Sequence, residues 1–112
     1  MKVYQKALQF TKLVRKETKL FPKEELFVLT SQFRRAADSI ILNIAEGAGN
    51  RSKVEFQRFL GYSIRSGYEC VGCIDIALEL EYVSLQTQED LFKEVDEIIA
   101  MLVGLQNSLS KH

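Results

Sequence analysis

The sequence has 112 residues, 46% hydrophobic and 27% charged, with one Pro and six Gly; that is a single globular domain spanning 1–112, too short for two domains and too apolar for a disordered chain. Fifteen Lys and Arg balance fifteen Asp and Glu, which argues against a generic polyanion binder. The zero hides a split: residues 1–65 hold 13 basic and 6 acidic side chains, whereas residues 66–112 hold 2 and 9, an asymmetry that points to nucleic acid or to a complementary partner.

The first periodic segment places Val3, Ala7, Phe10 and Val14 on one helical face and predicts a helix over 2–20. Lys12, Arg15, Lys16 and Lys19 share another face of it. They read as a track for a nucleic-acid backbone or, more commonly, as a solvated or ion-paired face. The second segment, 22–46, aligns Leu26, Leu29, Phe33, Ala37, Ile40 and Ile44. Pro22 suits a first helical turn, Glu24 and Glu25 suit its positive end, and Gly47 and Gly49 are expected to stop it. Gly47-Ala48-Gly49-Asn50-Arg51-Ser52 follows a helix and lacks a Gly-Lys-Ser/Thr ending, so it is not a nucleotide loop. It does lead into a helix N-terminus, where free N–H groups favour an anion. The third helix, 53–82, carries Phe56, Leu60, Gly67, Val71, Ile74 and Leu78, and Ser52 to Glu55 reads as a capping box. The fourth, 85–110, carries Leu91, Val95, Ile98, Leu102, Leu105 and Leu109, with Ser84 or Thr87 as N-cap. No segment alternates with period two. The expected fold is all-α: long helices with short connections make an antiparallel up-down four-helix bundle.

Apolar residues also occupy faces that should meet water. Ile41, Leu42 and Ala45 on helix 2, and Tyr62, Cys73, Ile76 and Leu80 on helix 3, form second stripes that suggest a homo-oligomer interface. A polar row, Gln32, Arg35, Ser39, Asn43 and Glu46, runs along helix 2, with Ser66 and Glu69 at comparable positions on helix 3. It reads either as a binding groove or as a structural hydrogen-bonded network, and the network is the favoured reading. Cys70-Val71-Gly72-Cys73 lies in mid-helix with no second pair, so core or interface packing is expected over redox or zinc chemistry. The single His, His112, is the last residue of the sequence and a poor catalytic candidate. No catalytic set, metal site, cofactor or small-molecule substrate is evident, so no enzyme is expected. The longest apolar run, 98–105, falls well short of a membrane span. The first residues lack a signal peptide's apolar core. A cytoplasmic location is expected.

The stretch from Leu29 to Gly47, above all Gln32, Arg35-Ala36, Ser39, Asn43 and Glu46-Gly47, resembles the four-helix-bundle proteins encoded in intervening sequences of bacterial 23S ribosomal RNA genes. Phe21-Pro22-Lys23-Glu24-Glu25, Arg51-Ser52, Glu55-Phe56, Phe59-Leu60, Ser66, Glu69 and Glu81-Tyr82 extend the likeness over nearly the whole chain. The resemblance implies an up-down bundle and, as in known members, a ring-shaped homopentamer, in a family not known to be enzymatic. A related and strongly basic branch, the accessory variability proteins of diversity-generating retroelements, binds nucleic acid and a reverse transcriptase; this chain is neutral.

The up-down topology is expected to set Arg15, Lys16 and Lys19 beside Glu89, Asp90 and Glu94. It leaves a basic end of Lys2, Lys6, Arg51, Lys53, Arg58 and Lys111 against Glu46 and Glu55. With Arg34 added to Lys2, Lys6, Arg51, Lys53 and Arg58, these are the candidate nucleic-acid contacts. The expected function is a non-enzymatic homo-oligomer, pentameric by resemblance, that binds RNA or a ribonucleoprotein through its basic end. The alternative is a scaffold or accessory subunit for a protein such as a reverse transcriptase, without nucleic-acid contact.

Overall fold

The computed structural model describes residues 1–110; Lys111 and His112, one counted with the basic end and the other weighed as a catalyst, lie outside them. Four α-helices account for most of the chain: α1 (Lys2–Thr18), α2 (Leu29–Ala48), α3 (Lys53–Glu79) and α4 (Leu85–Ser108). No strand occurs among the described residues. None of the helices is long and apolar enough to cross a membrane.

Each helix buries most of the stripe that its periodicity marks; Leu26, expected in the second stripe, lies before α2 and is 45% exposed. Phe10, Phe33, Ile40, Ile44, Leu60, Ile74, Leu91, Ile98 and Leu102 are fully enclosed, and each such side chain contributes about 1.5–3 kcal/mol through removal from water. The Phe10 and Phe33 rings meet at 6.5 Å in a tilted pair. α2 packs on α1 and α3, and α4 closes the circle between α3 and α1. Cross-helix hydrogen bonds fix the register. Ser63 Oγ donates to the Ile40 carbonyl at 2.9 Å, and Gln32 Nε2 to Glu69 Oε2 at 2.8 Å, so residue numbers rise along α2 as they fall along α3. The same opposition holds where Arg34 meets Thr18 and Arg15 meets Asp38, and where Gln57 meets Gln106 and Gly67 meets Ile99. The molecule measures 48 × 24 × 19 Å, in keeping with about 40 Å for α3 at 1.5 Å per residue.

Helix 2 does not start at Pro22. Lys23–Glu25 is a single 3-10 turn, and α2 begins only at Leu29. Proline and glutamate suit any N-terminal turn, and here tertiary contacts end that turn early. Glu25 is drawn off by Tyr82, whose hydroxyl donates to Glu25 Oε2 at 2.6 Å, while the Phe21 ring packs 5.4 Å from that of Tyr82. Glu25 Oε1 also accepts the Leu29 N–H at 3.3 Å, serving one of the donors that a helix start leaves unpaired. Nor does Gly47 stop α2, which runs to Ala48 with Gly49 as its cap.

Ser52 caps α3 as expected, accepting the Glu55 N–H at 3.2 Å. The reciprocal half of the box is missing: Asn50 Oδ1 takes the Ser52 N–H at 3.1 Å, and Glu55 turns to Arg58. Ser84 caps α4 through the Thr87 N–H at 3.1 Å. α3 closes by a Schellman turn, with Tyr82 N–H on the Ala77 carbonyl at 2.8 Å and Glu81 N–H on Leu78 at 3.0 Å. That turn needs a left-handed residue, and Glu81 supplies it at φ 63°.

Candidate functional site

Two regions gather the residues that the sequence singles out: the outer face of α2 and α3, and the end where α3 begins.

On the outer face, Leu42 is 65% exposed, Ile76 and Leu80 are each 48% exposed, and Val28 is 64% exposed. Ala45 is exposed too, and Tyr62 is half-buried. Ile41 and Cys73, by contrast, lie in the core at 8% and 4% exposure. Each of these helices has two neighbours, so the buried arc spans about 140° rather than a single narrow stripe. Ile41 and Cys73 fall at the edges of those arcs and cannot serve as exposed interface residues. What remains is a groove of about 530 Å³ lined by Val28, Leu29, Gly72, Cys73, Ile76 and Leu80, with Glu25, Gln32 and Glu69 at its polar border. A second, polar groove of about 470 Å³ adjoins it, lined by Gln32, Arg35, Ala36, Asp38, Ser39, Leu42 and Glu69.

The polar row is a partial network. Ser66 Oγ donates to Ser39 Oγ at 3.0 Å, and Asn43 Nδ2 reaches the same hydroxyl at 3.0 Å. Gln32 and Glu69 form a separate bridge across the groove. Arg35 and Glu46 are exposed and join neither group. The stronger polar tie lies where the polar groove meets α1: Arg15 grips Asp38 through both guanidinium nitrogens at 2.8 Å, and Thr11 Oγ1 donates to Asp38 at 2.6 Å. Arg15 is the main cause that holds the Asp38 carboxyl below its ordinary range.

Cys70 and Cys73 are both buried and unpaired to each other as thiols. Burial is the main cause that pushes the Cys73 thiol up to about 11, and burial pushes Cys70 up as well. A thiol so protonated is a weak nucleophile and a weak ligand at neutral pH. No cluster of His, Cys, Asp and Glu among the described residues could hold a metal ion.

The basic end is smaller than the sequence implies. Lys6 is matched by Glu97 at 3.1 Å and Glu94 at 4.0 Å. Arg58 pairs with Glu55 on its own helix and lies over the rings of Phe59 and Tyr62. Arg34 donates to Thr18 Oγ1 at 2.9 Å, at the far end of the bundle. α4 continues about 16 Å past Glu97, but α1 only about 6 Å past Lys6, so Lys2 is set back roughly 10 Å from the tip. Arg51 and Lys53 remain at the tip, exposed, with no carboxylate within ion-pair distance among the described residues. Arg15, Lys16 and Lys19 form no ion pair with Glu89, Asp90 or Glu94 among the described residues; Arg15 is held by Asp38 and Glu94 faces Lys6.

Sequence reasoning missed two features. Gln57 and Gln106 exchange side-chain amide and backbone bonds at 3.2 and 3.1 Å, stitching α3 to α4; isolated glutamines carry no sequence signal for this. Phe27 is 88% exposed beside the apolar groove, and only its position within the supposed helix 2 concealed it.

The described residues thus form a helical bundle with an apolar outer groove and a small cationic tip. The chain is a member of the 23S rRNA-intervening sequence protein family, whose profile matches residues 1–104. Its fold is similar to the crystal structure of a protein with unknown function from the S23 ribosomal protein family of Bacteroides thetaiotaomicron. That likeness has a TM-score of 0.86 at 23% identity, over 93% of this chain and 97% of the other. No curated protein matches the chain.

Proposed function

We propose that the protein is a non-enzymatic, cytoplasmic assembly module that binds RNA. Copies join through the outer face of α2 and α3, and the assembly, of five copies by family resemblance, presents its cationic tips together. The observation that carries this reading is the uncovered apolar surface of Val28, Leu42, Ile76 and Leu80 around the groove, which a second copy would remove from water. RNA is the ligand class suited to the tips, where Arg51 and Lys53 flank the N–H groups of the α3 start.

Two cations per copy give weak binding, and repetition in one particle multiplies it. For single-stranded RNA the expected slope of log affinity against log salt is about −1.4 for a lone copy and about −7 for five. Filter binding tests this directly. Wild type retains RNA at low salt with a steep salt slope. Arg51→Glu with Lys53→Glu abolishes retention, and Ile76→Glu with Leu80→Glu, which breaks assembly, reduces both retention and slope. No retention by the wild type at low salt overturns the RNA reading.

The second reading, a scaffold for another protein such as a reverse transcriptase, draws on the same groove. It gains from the pairing of Lys6 and Arg58 with carboxylates, which thins the basic end. It expects a co-purifying protein that resists nuclease treatment.

A further inference from the structure

From its second turn to its middle, α3 alternates cations with aromatic rings. Arg58, Tyr62, Arg65 and Tyr68 follow one another at steps of four, three and three residues, so they lie in one row along the helix. Both guanidiniums rest against the Tyr62 ring, Arg58 at 5.8 Å and Arg65 at 5.6 Å from its centroid. Phe59 meets the same ring edge-on at 5.5 Å, and Arg58 Nη1 donates to the Tyr62 hydroxyl at 3.3 Å. Tyr62 is thus held in place by three neighbours on its own helix. Arg65 is exposed, with no carboxylate within ion-pair distance among the described residues. Glu69, four residues on, turns to Gln32 at 2.8 Å instead. Tyr68 is 61% exposed, and among the described residues its ring meets no other ring and no cation.

We propose that Tyr62 and Tyr68, with the guanidiniums of Arg58 and Arg65 beside them, form a platform on which unpaired RNA bases stack. Every base has a flat π face, and aromatic rings and guanidinium planes are the surfaces that take it up. A duplex hides those faces between base pairs, so the ligand is single-stranded. The inference rests on the RNA reading above and gives it a second element: the tip grips phosphates, and the platform grips bases. Arg65 lies about 18 Å along α3 from Lys53 at 1.5 Å per residue, so one short strand spans both. Two guanidiniums are costly to bury against an apolar partner. This half of the outer face therefore stays open, while Ile76 and Leu80, which begin about 16 Å beyond Arg65, join copies. Tyr62, expected in the subunit interface, serves the strand instead.

Two probes of equal length and charge test it: a short oligoadenylate and an abasic ribose-phosphate oligomer, which keeps the phosphates and lacks the bases. Wild type is expected to bind the oligoadenylate more tightly than the abasic strand. Tyr62→Ala with Tyr68→Ala should weaken oligoadenylate binding about 5- to 150-fold, the range that loss of base stacking implies. It should leave abasic binding unchanged, and the salt slope too, because no charge is removed. Tyr68→Ala alone alters only an exposed ring; its loss should be smaller but in the same direction, which keeps the test valid if the double variant misfolds. Tyr62→Phe with Tyr68→Phe keeps both rings and binds like wild type. If the alanine variants bind oligoadenylate as tightly as wild type while Arg51→Glu with Lys53→Glu does not bind, the platform is wrong and the RNA reading stands. An equal loss for both probes also overturns the platform, since the rings then touch no base. If wild type binds neither probe at low salt, both readings fail.

Discussion

Gly47 sits inside α2, where a Cβ would lie 2.7 Å from Phe59 Cβ and 3.0 Å from Phe56 Cδ1. Phe59 Cβ is tied to the α3 backbone and cannot swing aside, so α2 and α3 approach closely only because residue 47 has no side chain. Gly104 on α4 has open space instead. The two glycines should therefore respond oppositely to alanine. Gly47→Ala costs about 1–3 kcal/mol through overpacking, although Ala is the better helix former by about 1 kcal/mol. Gly104→Ala stabilises by up to that amount. Urea midpoints moving in opposite directions bear this out; a rise for both contradicts the close approach. From sequence Gly47 reads as a helix stop, because it closes a periodic segment and nothing local says which face meets a neighbour. The same blindness explains the candidate cations. The pairing of Arg58 with Glu55 three residues away was legible in principle; that of Lys6 with Glu97 was not, since it depends on how α1 and α4 slide past each other.

At the level of elements, the existence of four helices and their buried stripes follows from the spacing of Phe10, Phe33, Leu60, Ile98 and their companions. The boundaries follow where local chemistry decides them, as at Ser52 and Ser84. They fail where a distant group decides, as at Leu29, whose helix start depends on Tyr82 engaging Glu25. The α1–α2 tie through Arg15 and Asp38 falls on a face read as solvated or ion-paired, but the spacing along α1 does not name Asp38 as the partner. It makes a pH prediction. The hydrogen bonds from Arg15, and to a lesser degree from Thr11, hold the Asp38 carboxyl below its ordinary range in the folded protein. Folding thus favours the ionised form, and the stability it contributes is present above the unfolded value of about 3.9 and lost as pH falls through the lowered folded value. Because the pair is half-exposed, Asp38→Asn costs no more than about 1 kcal/mol at neutral pH. The difference between wild type and variant in urea unfolding should shrink in strong acid; an undiminished difference rules the tie out.

For the whole molecule, the charge split along the sequence proves a poor guide to the surface. Lys6, Arg15 and Arg58 are each answered by a carboxylate, on α4, α2 and their own helix respectively. The bundle is instead polarised along its length, with Arg51 and Lys53 at one end and the apolar cluster around Phe27 at the other. The sequence showed the apolar stripes on helices 2 and 3 but overcounted them, placing Ile41 and Cys73 outside when wide burial arcs take them in. It could not show the groove, which forms between α3 and the segment leading into α2. The RNA-binding assembly proposed for the protein depends on that surface being covered by another copy. The most direct test is the mass of the unmodified protein in native mass spectrometry, followed across a wide range of concentration. A particle that is a whole multiple of 12.8 kDa, five copies on the family resemblance, is the predicted result; a lone 12.8 kDa species at every concentration contradicts the account.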